Sequence, residues 1–255
     1  MKNHFRYLNE YFDKILVLSL PRLTRRIEHI KKELDGLEYE FFWGVDKATT
    51  SLEALKKEGI YSSEKYRSFY KRKKDMAVGM ICGAHGHLNI YKEIVSKKYT
   101  RTLILEDDAL PVQQGLRYIR ACFKDLPDDW DMVYLGYDRN EQFGVKQYLK
   151  QRFYMFVPNH ATYKMTKDLY ANYYPRKVTA RIYRAGYHDW SHAYGLTLEG
   201  AKKILAEPMA GSFHSDNLLS YLIMHERLQG YIVKPKMFDQ LTVVAGHFMP
   251  SLTQD

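Results

Sequence analysis

Cysteine is scarce in this chain: Cys82 and Cys122 are the only two in 255 residues. Two thiols cannot build the multi-bridge framework of a small secreted domain, so a reducing compartment is expected. Long apolar runs are missing too, and none approaches the roughly 20 residues that span a bilayer. The first twelve residues alternate polar and aromatic side chains and lack the apolar core of a secretion signal. These absences predict a cytoplasmic protein. The phosphate-cradling patterns Gly-x-x-x-x-Gly-Lys-Ser/Thr and Gly-x-Gly-x-x-Gly are also absent, as are internal repeats, low-complexity tracts and a clear linker.

What is present suits one α/β domain over residues 1–255, with a nucleotide-binding half at about 13–136 and an acceptor or catalytic half at about 137–255. A hydrophobic content of 45% excludes global disorder. The net charge of +9 calls for an acidic partner: a nucleotide-sugar, an anionic membrane surface or a nucleic acid. Twenty-two tyrosines suit stacking on sugars or bases, and equally suit amphipathic packing.

The chain is organised around Thr102–Pro111. Thr102-Leu103-Ile104-Leu105 reads as a strand buried on both faces, and it runs straight into Glu106, Asp107 and Asp108. Pro111 is expected to block further regular pairing. In open α/β sheets the carboxyl ends of the strands face the ligand crevice, so these acids emerge there. Adjacent carboxylates repel one another unless a positive charge arrives, and a hard cation such as Mn²⁺ or Mg²⁺ on a phosphorylated ligand would supply it. In an extended chain Glu106 and Asp108 share one side and Asp107 takes the other.

Around this strand, Lys14–Leu20 reads as a first parallel strand, and Leu23, Ile27, Ile30 and Leu34 mark a helix that stops at Gly36. Tyr39–Trp43 completes a βαβ unit. Ser51–Lys74 reads as a polar, solvated loop ending in a basic, aromatic patch, Tyr66–Lys74, with membrane-surface or acceptor contact as its functional readings. The spacing predicts helices from Met76 to Ser96 and from Gly115 to Leu126, and strands at Asp131–Gly136, His188–Leu196 and Gly230–Lys234. His188 and His192 stand four apart, but on a strand that spacing does not gather a metal, so packed or hydrogen-bonded roles are expected. Ser215 is expected to cap a helix that starts at Asp216.

Several stretches resemble the family 25 glycosyltransferases, which include bacterial lipooligosaccharide galactosyltransferases and collagen galactosyltransferases. Leu103–Ala109 resembles their aspartate motif. Leu20-Pro21-Arg22 with Arg25-Arg26, the Val45-Asp46 pair and Asp131–Gly136 resemble other family blocks, as do Ala193-Tyr194 and Leu198–Leu205. Gly79 and His87 match in place, whereas Cys82-Gly83 is reversed and Gly86 stands where the family has serine. The resemblance implies a GT-A type nucleotide-sugar fold with a mostly parallel sheet flanked by helices. It also implies a UDP-sugar donor, a Mn²⁺ requirement and inversion at the anomeric carbon. By the same resemblance Arg22, Arg25, Asp46, His87, Glu106 and Asp107 would bind the nucleotide-sugar, and Glu106, Asp108 and His247 the metal. Asp216 would be the catalytic base.

The expected activity is transfer of a hexose, galactose by resemblance, to a hydroxyl of a glycan or lipid-linked glycan, with peripheral contact to the inner face of a membrane. Two alternatives stand beside it. One is a metal-dependent sugar-phosphate nucleotidyltransferase. The other is a basic nucleic-acid-binding protein, resting on the aromatic and basic residues of Tyr66–Lys74; under the first reading no nucleic-acid partner is expected.

Overall fold

Strand β1 (Lys14–Ser19) shows how the chain is layered: Ile15 and Val17 enter one apolar cluster, while Leu16 enters another with Leu18 packed beside it. In this computed structural model, which describes residues 2–157 and 166–241, the same alternation recurs on the other central strands. On β3 (Arg101–Glu106) Leu103 and Leu105 go one way and Ile104 the other. On β5 (Met132–Asp138) Val133 and Leu135 oppose Met132 and Tyr134. Strands buried on both faces need helices on both faces, so the architecture is α/β.

Helix α1 (Lys2–Tyr11) packs Phe5 and Leu8 beneath one face, and α2 (Thr24–Glu33) adds Ile30 there. Gly36, at φ +95°, turns the chain after α2 into edge strand β2 (Glu40–Trp43). The opposite face receives α3 (Leu52–Lys57), α4 (Ser63–Tyr70) and the long α5 (Val78–Lys97). After β3 come β4 (Ala109–Pro111), α6 (Gln113–Leu116) and α7 (Ile119–Asp125), then β5. The second half contains α8 (Val145–Phe156), α9 (Lys167–Ala171), β6 (Arg176–Lys177), β7 (Ile182–Arg184) and β8 (Asp189–Thr197). It continues through α10 (Leu198–Leu205), α11 (Ser215–Met224), β9 (Gly230–Val233) and β10 (Phe238–Gln240).

The eight-stranded sheet runs β2-β1-β3-β8-β5-β9-β7-β6. It is mixed: β1 is parallel to β2 and β3, and β5 to β9, while β8 is antiparallel to both β3 and β5. Because β8 runs backwards, its first residues lie at the same edge as the last residues of β1, β2, β3 and β5. Leu105 pairs with Ala193, and Asp138 with Asp189. That shared edge is where the polar residues collect.

Some expected features differ. Pro111 does not end pairing; β4 joins β10 in a small antiparallel sheet with Phe238 opposite Pro111. A proline at the end of such a short strand costs no essential ladder bond. The helix expected over Gly115–Leu126 is two pieces, and a Cβ at Gly115 would lie 1.8 Å from the Lys236 carbonyl oxygen. The chain bends where that strand connection crosses it. Ser51–Lys74 is helical, and Tyr66, Phe69 and Tyr70 are buried, at the i, i+3, i+4 spacing of a core-facing stripe. The exposed residues of that patch are Arg67, Ser68 and the basic run Lys71–Lys74. The aromatic and basic residues of Tyr66–Lys74 therefore share no surface, which removes the interleaving that carried the nucleic-acid alternative. Both cysteines are buried and free. Among the described residues no helix is long and apolar enough to cross a membrane.

One carboxylate ties α3 and α4 to the start of α5. Asp75 accepts from Lys56 Nζ at 3.1 Å, Arg67 Nε at 3.0 Å, Arg67 Nη2 at 2.9 Å and the Tyr61 hydroxyl at 3.3 Å. Burial would raise the Asp75 carboxyl, but the Ser63 hydroxyl, Lys56 and Arg67 outweigh it and hold it at about 2. A depressed carboxylate adds stability above its unfolded pKa, and that stability is lost as pH falls through the folded value. Asp75→Ala is therefore expected to lower unfolding stability at pH 7 by about 1–2 kcal/mol, the cations being partly solvent-screened. The gap from wild type in urea titrations should close as pH drops below 4 toward 2.

Candidate active site

Three carboxylates leave the end of β3 in three directions. Glu106, still in the strand, turns toward α5, where its Oε1 lies 3.3 Å from His87 Nε2. Asp107 turns toward α2: Oδ2 accepts from the Ser19 hydroxyl at 2.6 Å, and Oδ1 from Arg26 Nη1 at 2.7 Å. The chain stops being extended at Asp107–Asp108, where a turn replaces the strand. Asp108 consequently does not repeat the Glu106 direction. Its Oδ2 accepts from Gln240 Nε2 at 3.0 Å and lies 3.8 Å from Arg26 Nη1. The Leu241 N–H holds its carbonyl at 2.8 Å, and its Oδ1 is buried with no hydrogen-bond partner.

Behind Glu106 stands a buried relay. His87 Nδ1 is 2.8 Å from the Tyr194 hydroxyl, which is 2.8 Å from the Tyr91 hydroxyl. Every polar atom of the relay has a partner: the Tyr91 hydroxyl meets that of Tyr194, Tyr194 meets His87 Nδ1, and His87 Nε2 meets Glu106. The relay fixes the orientation of Glu106. Burial pushes the Glu106 carboxyl up, but the His87 hydrogen bond and the positive character of His87, His192 and Arg26 bring it below its ordinary value. Asp107 is raised by burial despite Arg26 and Ser19. Asp108 is pushed up to about 7, first by burial and then by the Glu106 charge.

A carboxyl whose pKa is raised, with an orphaned oxygen and two more acids beside it, marks a place short of positive charge. Among the described residues no three His, Cys, Asp or Glu side chains gather tightly enough to hold a metal by themselves. Mg²⁺-like ions are held by one or two carboxylates with the remaining places on phosphate and water. Glu106 and Asp108 carry the oxygen donors such an ion takes, and the unpartnered Asp108 Oδ1 is the atom that lacks one. His247, the third expected ligand, lies outside the described residues.

The rest of the edge adds further groups. Arg22 holds Asp46 through two hydrogen bonds, one of them Nη2 to Oδ1 at 3.0 Å, and Asp46 also accepts from the Ala48 N–H. Both leave the ends of the parallel strands β1 and β2. Arg25 is exposed on α2, and its neighbour Arg26 is the arginine in the acidic cluster. The signal was in the helix period: Arg26 precedes the buried Ile30 by four residues, which puts it on the inner face.

Asp216 lies in the first turn of α11. The N-cap position belongs to His214, not Ser215, and the His214 side chain makes no capping bond. Asp216 Oδ2 accepts from the Trp190 N–H at 3.1 Å and Oδ1 from the Asn217 N–H at 2.7 Å. Burial raises its carboxyl, Glu106 adds to the rise, and the two N–H donors oppose it. Beside it Asp189, also raised by burial, pairs with Arg139 at 2.6 Å. Trp190 between them holds φ +61°, a left-handed backbone that aims its N–H at Asp216.

His188 is a packed residue. Its Nδ1 meets the Arg139 carbonyl at 2.9 Å and its Nε2 accepts from the Gly186 N–H at 3.3 Å, while burial holds it at about 4. His192 is buried, with Nε2 3.5 Å from the Phe238 carbonyl and Nδ1 unpartnered. A Cβ at Gly136 would lie 2.2 Å from that ring, so the neighbouring strand needs glycine there. Ser19, Gln240, Tyr194 and Asp189 complete the edge. Single-sequence patterning does not mark them, because each reaches it through strand pairing with distant segments.

The sequence profile described as "Glycosyltransferase family 25 (LPS biosynthesis protein)" matches residues 12–219. The chain is 25% identical over 214 residues to mouse "Procollagen galactosyltransferase 2", covering 82% of this chain and 30% of that protein. It is 24% identical over 200 residues to mouse "Inactive glycosyltransferase 25 family member 3", covering 76% of this chain and 29% of that protein. The chain thus spans under a third of the length of these curated relatives. Among solved structures, a glycosyltransferase involved in glycosylation of the major capsid of PBCV-1 aligns at TM-score 0.38 and 11% identity, over 89% of this chain and 91% of that one.

Proposed function

Because the chain belongs to glycosyltransferase family 25, we propose that its acidic sheet edge transfers a hexose, galactose in the simplest case, from a UDP-sugar to a hydroxyl of a glycan or lipid-linked glycan, with inversion. The observation that carries this reading is the Glu106–Asp108 cluster: three acids at the carboxyl ends of the strands, one with a buried oxygen lacking a partner. Relatives that share the family include one named inactive, so the reading rests on these residues and not on family membership.

Glu106 and Asp108 would hold a divalent ion, Mn²⁺ or Mg²⁺, and that ion would supply charge neutralisation for the diphosphate and the departing UDP. Asp107 keeps Arg26 at the site and anchors the turn to β1 through Ser19. The His87–Tyr194–Tyr91 relay holds Glu106 in one orientation. Arg22 and Asp46 stand at the ends of β1 and β2, where the nucleotide would lie. Asp216 takes the proton of the acceptor hydroxyl; its raised pKa brings it nearer the working pH, where a general base is most effective.

A panel of UDP-sugars with Mn²⁺, with and without chelator, tests the proposal by donor binding and slow hydrolysis. Chelator-sensitive binding of one UDP-hexose is expected. Chelator-indifferent binding would remove the metal from the reading, and turnover of a nucleoside triphosphate with a sugar phosphate would replace transfer by nucleotidyl transfer.

A further inference from the structure

Helix α8 is anchored on one side and bare on the other. Gln151 Nε2 donates to the Tyr170 and Ala171 carbonyls at 2.7 and 3.0 Å, and Tyr154 and Met155 pack on the main apolar cluster. Yet no residue of the helix is buried. Val145 is 78% exposed, Leu149 62%, Phe153 59% and Phe156 82%. Their spacing of four, four and three puts them on one outward stripe. Of the nine large exposed hydrophobics among the described residues, seven lie between Phe143 and Val157. A soluble surface does not ordinarily concentrate its apolar side chains this way.

The charge around the stripe has one sign. Lys146, Lys150 and Arg152 lie on the helix, and residues 142–157 contain no Asp or Glu. Glu141, just before them, is held by Lys236 at 2.8 Å. The Lys150 ammonium and the Arg152 guanidinium lie over the Tyr154 and Tyr148 rings at 5.4 and 5.9 Å, at the border of the apolar stripe. A second copy of the chain docking by this face would set cations against the same cations. An anionic lipid surface complements both features at once.

We propose that α8 is a membrane-docking helix that lies in the headgroup plane of an anionic bilayer, with Val145, Leu149, Phe153 and Phe156 in the acyl boundary and its lysines on the headgroups. The surface differs from the Tyr66–Lys74 patch that the sequence suggested. Its placement relative to the site follows from packing: Tyr154, Tyr170, Tyr173 and Tyr187 form a run of ring contacts at 5.2, 5.9 and 5.3 Å, and the Tyr187 hydroxyl accepts from Asn217 Nδ2 beside Asp216. This run links the docked helix to the neighbourhood of Asp216. The docking itself goes beyond the transferase reading, and its readout is independent of turnover.

Flotation of the full chain with phosphatidylcholine vesicles containing about one-third phosphatidylglycerol, at low salt, tests it against pure phosphatidylcholine. Binding to the anionic vesicles is expected to be roughly tenfold stronger or more. The exposed double change Leu149→Glu with Phe153→Glu should remove it, with an unchanged circular dichroism spectrum and melting temperature. Lys146→Glu with Lys150→Glu should abolish the preference for anionic lipid. Lys73→Glu with Lys74→Glu should change binding by less than about twofold, since that patch carries no exposed apolar stripe. Absence of wild-type binding would overturn the proposal. So would sensitivity confined to Lys73 and Lys74, or a concentration-dependent dimer that the Leu149 and Phe153 changes dissociate.

Discussion

Asp108→Asn is expected to lower sugar transfer by roughly 10²–10³-fold, the scale of losing one group that stabilises developing charge. It should also abolish Mn²⁺-dependent strengthening of UDP-sugar binding, because an amide is a poor ligand for a hard cation. The fold should survive and gain a distinctive pH signature. In the free protein Asp108 is raised to about 7 by burial and by Glu106, above its ordinary value of 3.8. A raised carboxyl binds its proton more tightly in the native state. Its contribution to stability is therefore complete below about pH 4 and is withdrawn as pH rises toward 7. The variant has no such proton to lose, so its urea midpoint should fall less than wild type's over that window. UDP-sugar with Mn²⁺ should restore wild-type stability near pH 7 and leave the variant unmoved. Unchanged turnover in the folded variant would refute the acidic cluster as the catalytic edge.

Asp216→Asn separates the base from the donor site. Donor and Mn²⁺ affinity should stay within about twofold of wild type, while transfer falls by roughly 10²–10⁴-fold, the usual worth of a positioned general base. Both Asp216 oxygens accept backbone N–H groups, from Trp190 and Asn217. An amide can accept only one of them well, so stability should drop by about 1–2 kcal/mol. The wild-type rate should rise with pH as the raised Asp216 carboxyl ionises, and that acidic limb should vanish in the variant. If Asp216 only fixed the Trp190 backbone, the variant would lose stability with a near-normal rate and an intact limb.

Much of the fold was legible. The βαβ opening, the buried strand before the acids and the strands at β5, β8 and β9 follow from apolar runs and turn residues, because both sheet faces are covered and the runs are nearly continuous. The long α5 follows from its helical period. Glu106, Asp107 and Asp108 could be picked out because acids at the end of an apolar strand stand out against their flanks, whereas Asp46 and Asp216 were marked by the family resemblance. The polar character of Ser51–Lys74 hid two helices: three buried aromatics among many charges still make a core face when spaced three and four apart.

The sequence by itself determined that this is an α/β chain with an acid cluster at the end of a buried strand, since local periodicity and composition set those features within a few residues. Tertiary structure alone decided which groups meet that cluster. Arg26 displaces Arg25, Tyr194 completes the relay to Glu106, Gln240 reaches Asp108, and the antiparallel direction of β8 delivers Asp189 and His192 to the same edge. Each depends on a strand order and register joining residues 81 to 132 positions apart. The pKa of Asp108 belongs to the same class, because burial and the Glu106 charge exist only once the chain has closed around them.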